Sequence, residues 1–255
     1  MSRLVMITGA GGGIGQATAR RFAQAGWRVA IADIQPAALE LLGTQLGEQL
    51  AASFTLDVSD PIAVESAFRS LSESNNGRLD LLINNAGIAY MGRFEEKALG
   101  FHHTLEAVNI RGVLNCSYLA FPYLKAARGR VINLCSTSAL YGIPSMATYS
   151  ASKFWVRGFT EALNLEWESH GIRVCDVMPS LVKTPMTDGV EGQLITHFGI
   201  NLTPDDVAAA IFVAAQSTRV HTLIDKSFAA KTQLRLLNLL PSFLQRAVIK
   251  RASIK

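Results

Sequence analysis

The chain has 255 residues, 49% hydrophobic and 17% charged, which suits one large α/β domain with a sizeable core and excludes a disordered chain. Its net charge of +4 hides an asymmetry: from Lys226 onward there are seven basic residues and no acidic one, leaving residues 1–225 with 17 basic against 20 acidic side chains. That mildly acidic body, net −3 and without Lys/Arg clusters interleaved with aromatics, excludes nucleic acid as its partner.

In chain order, Leu4–Thr8 is a short apolar run that leads, without a signal peptide before it, into Gly9-Ala-Gly-Gly-Gly13-Ile14-Gly15 and a helical pattern to about Gly26. Strand, glycine loop and helix together point to phosphate binding. Glycines let backbone approach a pyrophosphate, and a helix N-terminus favours its charge. Residues 28–33 read as a second strand ending in Asp33. A carboxylate there can accept from both ribose hydroxyls of an adenosine and repels a 2′-phosphate, and no Arg or Lys stands by to hold one; NAD is therefore expected over NADP. The competing reading is that Asp33 caps the helix starting near Pro36.

A helix over about 36–49 leads to a third strand at 52–57, and Ser59-Asp60-Pro61 opens a helix to about Ser74. Residues 79–84 are a fourth strand, apolar as a strand covered on both faces should be, ending in Asn84-Asn85-Ala86-Gly87. Side-chain amides at that end are where an open α/β sheet holds its ligand. One long helical region is predicted over about 95–126 with Asn109 inside it, then a fifth strand over 130–136 that places Ser136 at its end.

A helix over 148–169 sets Tyr149 and Lys153 one turn apart on one face. An ammonium beside a phenol lowers the phenol's pKa, giving a group able to move a proton near neutrality. A sixth strand at 172–179, an apolar insert at about 183–203 (Leu194, Ile195, Phe198, Ile200, Leu202), a helix from Thr203 and a seventh strand at 221–225 follow. The alternation predicts a single-domain, doubly wound parallel sheet of about seven strands with helices on both faces over residues 1–225. Cys116, Cys135 and Cys175, odd in number and widely spaced, predict neither disulfides nor a metal site and fit a cytoplasmic setting.

These motifs, in this order, resemble the short-chain dehydrogenase/reductase family over roughly residues 3 to 225. Thr8 to Gly15 fits its TGxxxGxG loop, Asn84 to Gly87 its NNAG element, and Asp57 its adenine-contacting aspartate. Asn109, Ser136, Tyr149 and Lys153 match its catalytic tetrad. The resemblance implies a Rossmann fold and hydride transfer with NAD. Tyr149 would be the general acid/base, Ser136 would polarise the substrate oxygen, Lys153 would bind the nicotinamide ribose and lower the pKa of Tyr149, and Asn109 would hold a water linking Lys153 to solvent. Gly9, Gly13, Ile14 and Gly15 would line the pyrophosphate, Asp33, Asp57 and Val58 the adenosine, and Asn85, Ala86 and Gly87 the floor of the cofactor cleft. Pro179, Val182 and Thr184 would line its nicotinamide end, although Pro179-Ser180 stands where the family usually has Pro-Gly. A homodimer or homotetramer is also implied.

Residues 226–255 depart from the family's glycine-rich ending. They read as two basic amphipathic helices broken at Pro241, with Ser242 and Gln245 as a capping box. This extension could pack on the body, roof the substrate pocket, form a dimer contact, or lie on a membrane. The expected activity is interconversion of a secondary alcohol and a ketone of a lipophilic small molecule. The alternatives are reduction of 3-oxoacyl thioesters, or a non-catalytic NAD-binding scaffold or redox sensor.

Overall fold

The computed structural model describes residues 2–184, 202–227, 232, 236, 237 and 240–253. The apolar runs form seven strands: β1 (Leu4–Thr8), β2 (Arg28–Asp33), β3 (Leu50–Thr55), β4 (Leu81–Asn84), β5 (Arg130–Leu134), β6 (Arg173–Pro179) and β7 (His221–Ile224). They lie in the order β3-β2-β1-β4-β5-β6-β7, and every neighbouring pair is parallel. The helices are α1 (Gly13–Gln24), α2 (Pro36–Leu46), α3 (Pro61–Glu73), α4 (Leu99–Glu106), α5 (Gly112–Ala127), α6 (Ala147–Glu166), α7 (Pro204–Ala214) and α8 (Ser242–Ser253). This is the expected single-domain Rossmann fold.

Strand pleating explains why β1 and β4 are apolar at successive positions. Val5 and Ile7 of β1 pack with Phe22 of α1, Leu42 of α2 and Ile211 of α7. Leu4 and Met6 pack on the opposite face with Phe68 of α3 and Leu124 of α5. The chain reverses its winding direction between β1 and β4, so the segments after these two strands diverge and leave a crevice at the carboxyl edge.

Several boundaries differ from the sequence reading. β3 spans Leu50–Thr55, which leaves Asp57 in the following loop, where its Oδ1 accepts from Ser59 N at 2.8 Å. The helical region after β4 is not continuous: α4 runs into one π-helical turn, Ala107–Arg111, before α5 begins. Of the apolar insert, Leu194, Ile195, Phe198 and Ile200 lie outside the described residues. Leu202 bridges to Val182 and joins the core shared with α1 and α7, so it faces the core and not a pocket. The capping box expected at Ser242 rests on a side chain that lies outside the described residues. Pro241 O accepts from Leu244 N and Gln245 N, making Pro241 the cap, and the Gln245 side chain donates to Leu237 O at 2.8 Å.

Candidate active site

The glycine loop joins β1 to α1, and two of its glycines are required by the protein itself. Gly9 has φ +64°, and a Cβ there would come within 2.7 Å of Ala86 Cα. A Cβ on Gly15 would come within 2.2 Å of Gly9 O. Gly12 and Gly13 differ, since their nearest neighbours would lie at 3.6 and 3.4 Å, so side chains there would stand over the loop without backbone conflict. The first turn of α1 has no side-chain cap and no acidic residue. Asp33 reaches across from the end of β2: Oδ2 accepts from Gly11 N at 2.8 Å and Oδ1 from Gln35 N at 3.0 Å. Gln35 occupies the cap position of α2, so Asp33 braces the glycine loop and is not the helix cap.

Thr8 and Asn85 clip the two diverging strand ends together. Thr8 Oγ1 accepts from Asn85 N and Ala86 N, while Asn85 Nδ2 donates to Thr8 O and Gly9 O at 2.9 and 2.8 Å. Asn84 does not face the crevice with Asn85. Its Nδ2 donates to Asn133 Oδ1 at 2.8 Å and Ser117 Oγ at 3.1 Å, and Asn133 Nδ2 donates in turn to Thr160 Oγ1 at 2.9 Å. This buried chain of polar groups joins β4 and β5 to α5 and α6. Sequence reasoning missed it, along with the role of Thr8.

At the other end of the crevice, Ser136 follows β5 and its Oγ accepts from Ser138 N at 3.2 Å. The Ser136 hydroxyl also stands beside that of Tyr149 and lowers the phenol's pKa. Lys153 sits one turn beyond Tyr149 in α6, buried, with Nζ 5.6 Å from the phenol ring centroid and donating to Leu134 O at 2.8 Å. Burial pushes the Tyr149 hydroxyl up to about 12, against the lowering effect of the Ser136 hydroxyl. It also holds the Lys153 ammonium below the ordinary lysine range. The lowering of Tyr149 by Lys153 expected from their spacing is therefore not what governs the protein alone; desolvation does.

Asn109 projects from the π turn. Its Oδ1 accepts from Ile88 N at 2.9 Å, and its Nδ2 donates to Ile88 O at 2.9 Å and to Ser152 Oγ at 3.1 Å. Ser152 Oγ donates to Tyr149 O at 2.7 Å. Both amide protons are thus engaged by protein, and Asn109 acts as a brace between the segment after β4 and the turn of α6 that carries Tyr149. Gly87 fits beneath it: a Cβ there would lie 3.3 Å from Asn109 Oδ1 and 3.8 Å from Lys153 Nζ.

One cavity of about 1340 Å³ runs along the whole edge. It is lined at one end by Gly9, Gly13, Ile14, Gly15, Asp33, Asp57 and Val58, and in the middle by Asn85, Ala86 and Gly87. Ser136, Tyr149, Lys153, Pro179, Val182 and Thr184 line the other end. Asn109 stands behind the wall and is buried. The outer wall beyond Tyr149 is apolar, formed by Met91, Tyr141, Ile143 and Met146, and by Leu236, Leu237, Leu240 and Ile249 of the C-terminal extension. The volume exceeds that of an ordinary single-ligand pocket, leaving room for a dinucleotide and a second molecule together.

Comparison with known proteins gives concordant results. The family model described as short chain dehydrogenase matches residues 3–194. The chain is 36% identical over 216 residues to the meso-2,3-butanediol dehydrogenase of Serratia marcescens, covering 82% of this chain and 86% of that one. It is 33% identical over 226 residues to the D-threitol dehydrogenase of Mycolicibacterium smegmatis, covering 84% and 86%. Among solved structures, the 3-ketoacyl-(acyl-carrier-protein) reductase of Brucella melitensis complexed with NADH superposes with a TM-score of 0.80 at 31% identity, covering 88% of this chain and 96% of that one.

Proposed function

The chain belongs to the short-chain dehydrogenase/reductase family, and from that premise we propose that it interconverts a secondary alcohol and a ketone, using NAD in preference to NADP. The observation that carries this reading is the convergence of Ser136, Tyr149 and Lys153 on the cavity whose far end holds the glycine loop and Asp33. The residues present fit a nicotinamide dinucleotide. Gly12 and Gly13 leave room over an uncapped helix N-terminus suited to a pyrophosphate, and each Asp33 oxygen retains acceptor capacity beyond its one backbone donor. When bound, that cofactor supplies or takes up the hydride.

The chain's own residues manage the substrate oxygen and its proton. In reduction Tyr149 donates its phenolic proton to the carbonyl oxygen; in oxidation its phenolate accepts the proton of the alcohol. Ser136 donates a hydrogen bond to the same oxygen and stabilises the negative charge that develops on it. Lys153 holds positive charge beside the phenol and presents donors toward the cofactor ribose. Asn109 is a positioning residue, holding Ile88 and, through Ser152, the backbone of Tyr149.

The apolar wall beyond Tyr149 supports a lipophilic substrate, and the exposed Leu114, Tyr118, Phe154 and Leu165 on α5 and α6 support assembly as a homodimer or homotetramer. Three buried free cysteines fit a cytoplasmic protein. A 3-oxoacyl thioester as substrate is the second reading, favoured by the likeness to the Brucella reductase. The test is NADH oxidation with a panel of apolar ketones and 3-oxoacyl thioesters, comparing wild type with Tyr149→Phe. Loss of about 100-fold or more in kcat with cofactor binding retained is expected. Equal turnover in both proteins rejects the assigned acid/base, and cofactor binding with no turnover of any substrate favours a scaffold.

A further inference from the structure

We propose that the C-terminal helix α8 seats the protein on an anionic lipid surface, with Phe243 and Leu244 entering the headgroup boundary. The helix has two apolar sides. Inward, Val248 and Ile249 line the cavity together with Leu237 and Leu240, and the Gln245 bond to Leu237 O at 2.8 Å sets the rotation of the helix. Outward, Phe243 is 70% exposed and Leu244 41%, and neither lines the cavity. Lining the cavity accounts for the first side only.

Arg246 and Lys250 flank this outer stripe at helical i,i+4 spacing, both exposed, and neither forms an ion pair among the described residues. Lys226, by contrast, is paired with Asp206 at 2.9 Å. No acidic residue occurs after Asp225, so the segment has no counter-charge of its own. A second copy of this chain is the weaker occupant. A two-fold contact of the stripe with itself would set cations against cations, whereas a bilayer rich in anionic headgroups offers both the apolar layer and the opposite charge. No described helix is long and apolar enough to cross a membrane, so the mode is lying on the surface. The same helix thus faces lipid on one side and the cavity on the other.

The test is flotation of the full-length protein with phosphatidylcholine vesicles and with vesicles of equal parts phosphatidylcholine and phosphatidylglycerol. Wild type is expected to float with the anionic vesicles only, and less as salt is raised. Phe243→Ser/Leu244→Ser and Arg246→Glu/Lys250→Glu are each expected to weaken binding by about tenfold or more. Absence of flotation with anionic vesicles overturns the proposal. So does binding untouched by the serine pair, which would mean charge adsorption alone. A fall in solution mass in the variants, with no vesicle binding by wild type, assigns the stripe to a protein interface instead. Flotation needs no turnover, so its outcome is separable from that of the redox reading.

Discussion

Asp33→Asn probes the adenosine end of the cavity with minimal change of shape. The carboxylate has about four acceptor positions, and the protein takes two of them through Gly11 N at 2.8 Å and Gln35 N at 3.0 Å. The remaining two suffice for the two ribose hydroxyls of NAD. In the asparagine variant the single oxygen can keep Gly11 N and one hydroxyl, and the amide nitrogen faces Gln35 N as donor against donor. Exchanging charge-assisted for neutral hydrogen bonds, about 1 to 2 kcal/mol in all, weakens NADH binding by roughly 5- to 30-fold. Removing the negative charge also relieves repulsion of a 2′-phosphate. That repulsion is up to about 4 kcal/mol at 4 Å in a partly screened site, so NADPH binding should tighten by roughly tenfold or more. Calorimetric titration of both cofactors against wild type and variant reads the two effects separately. If the NADH/NADPH preference is unchanged, or if both affinities fall together, Asp33 serves only as the brace of the glycine loop and the assignment of NAD fails.

Three further outcomes follow from the geometry. Because burial holds the Tyr149 hydroxyl up at about 12, alcohol oxidation, which needs the phenolate, should quicken from about pH 7 to about pH 10, while ketone reduction should not; an oxidation rate indifferent to pH refutes this. Gly9→Ala places a methyl 2.7 Å from Ala86 Cα at φ +64°, costing about 1–2 kcal/mol for the left-handed backbone before any clash. Gly12→Ala meets only Gly9 O at 3.6 Å and should keep its melting temperature while binding cofactor less well. His221→Ala removes the partner of the fully buried Asp176, whose other oxygen already has no partner among the described residues. It should cost about 3 kcal/mol in denaturant unfolding. The Asp176 bond raises the pKa of His221. Its contribution is therefore present below the unfolded value of about 6.5 and lost as pH rises through the higher folded value, a dependence the variant should lack.

The fold was legible because each buried strand is a short apolar run punctuated by glycine, proline or a polar turn, and Ser136, Tyr149 and Lys153 could be placed from strand ends and helical spacing. The direction of Asn84 was also within reach. It lies two residues beyond Leu82, which packs against the α3 and α5 side, and strand parity sends both the same way. The π turn was not, since Ala107–Arg111 carries no pattern distinguishing it from α-helix, and the wider turn is set by what Asn109 must reach. The side that Leu202 faces was not legible either, because hydrophobicity marks burial without saying which side of the chain provides it. The pKa of Tyr149 was misjudged because spacing reveals the nearby charge but not the water lost around the hydroxyl.

The π turn before α5 also acts as a gear tooth. One residue of α-helix advances the chain by about 100° around the axis, and the wider turn Ala107–Arg111 absorbs one residue that a continuous α-helix could carry only by turning α4 that far relative to α5. Without that slack His102, whose ring nitrogens lie 3.1 Å from Phe94 O and 2.8 Å from Thr148 Oγ1, would turn away from Thr148. Thr104 and Val108 would leave the cavity wall they now form. The phase between the two halves of this helix is thus a single-residue setting for the shape of the pocket's side, changed by chain length and not by the chemistry of any one side chain.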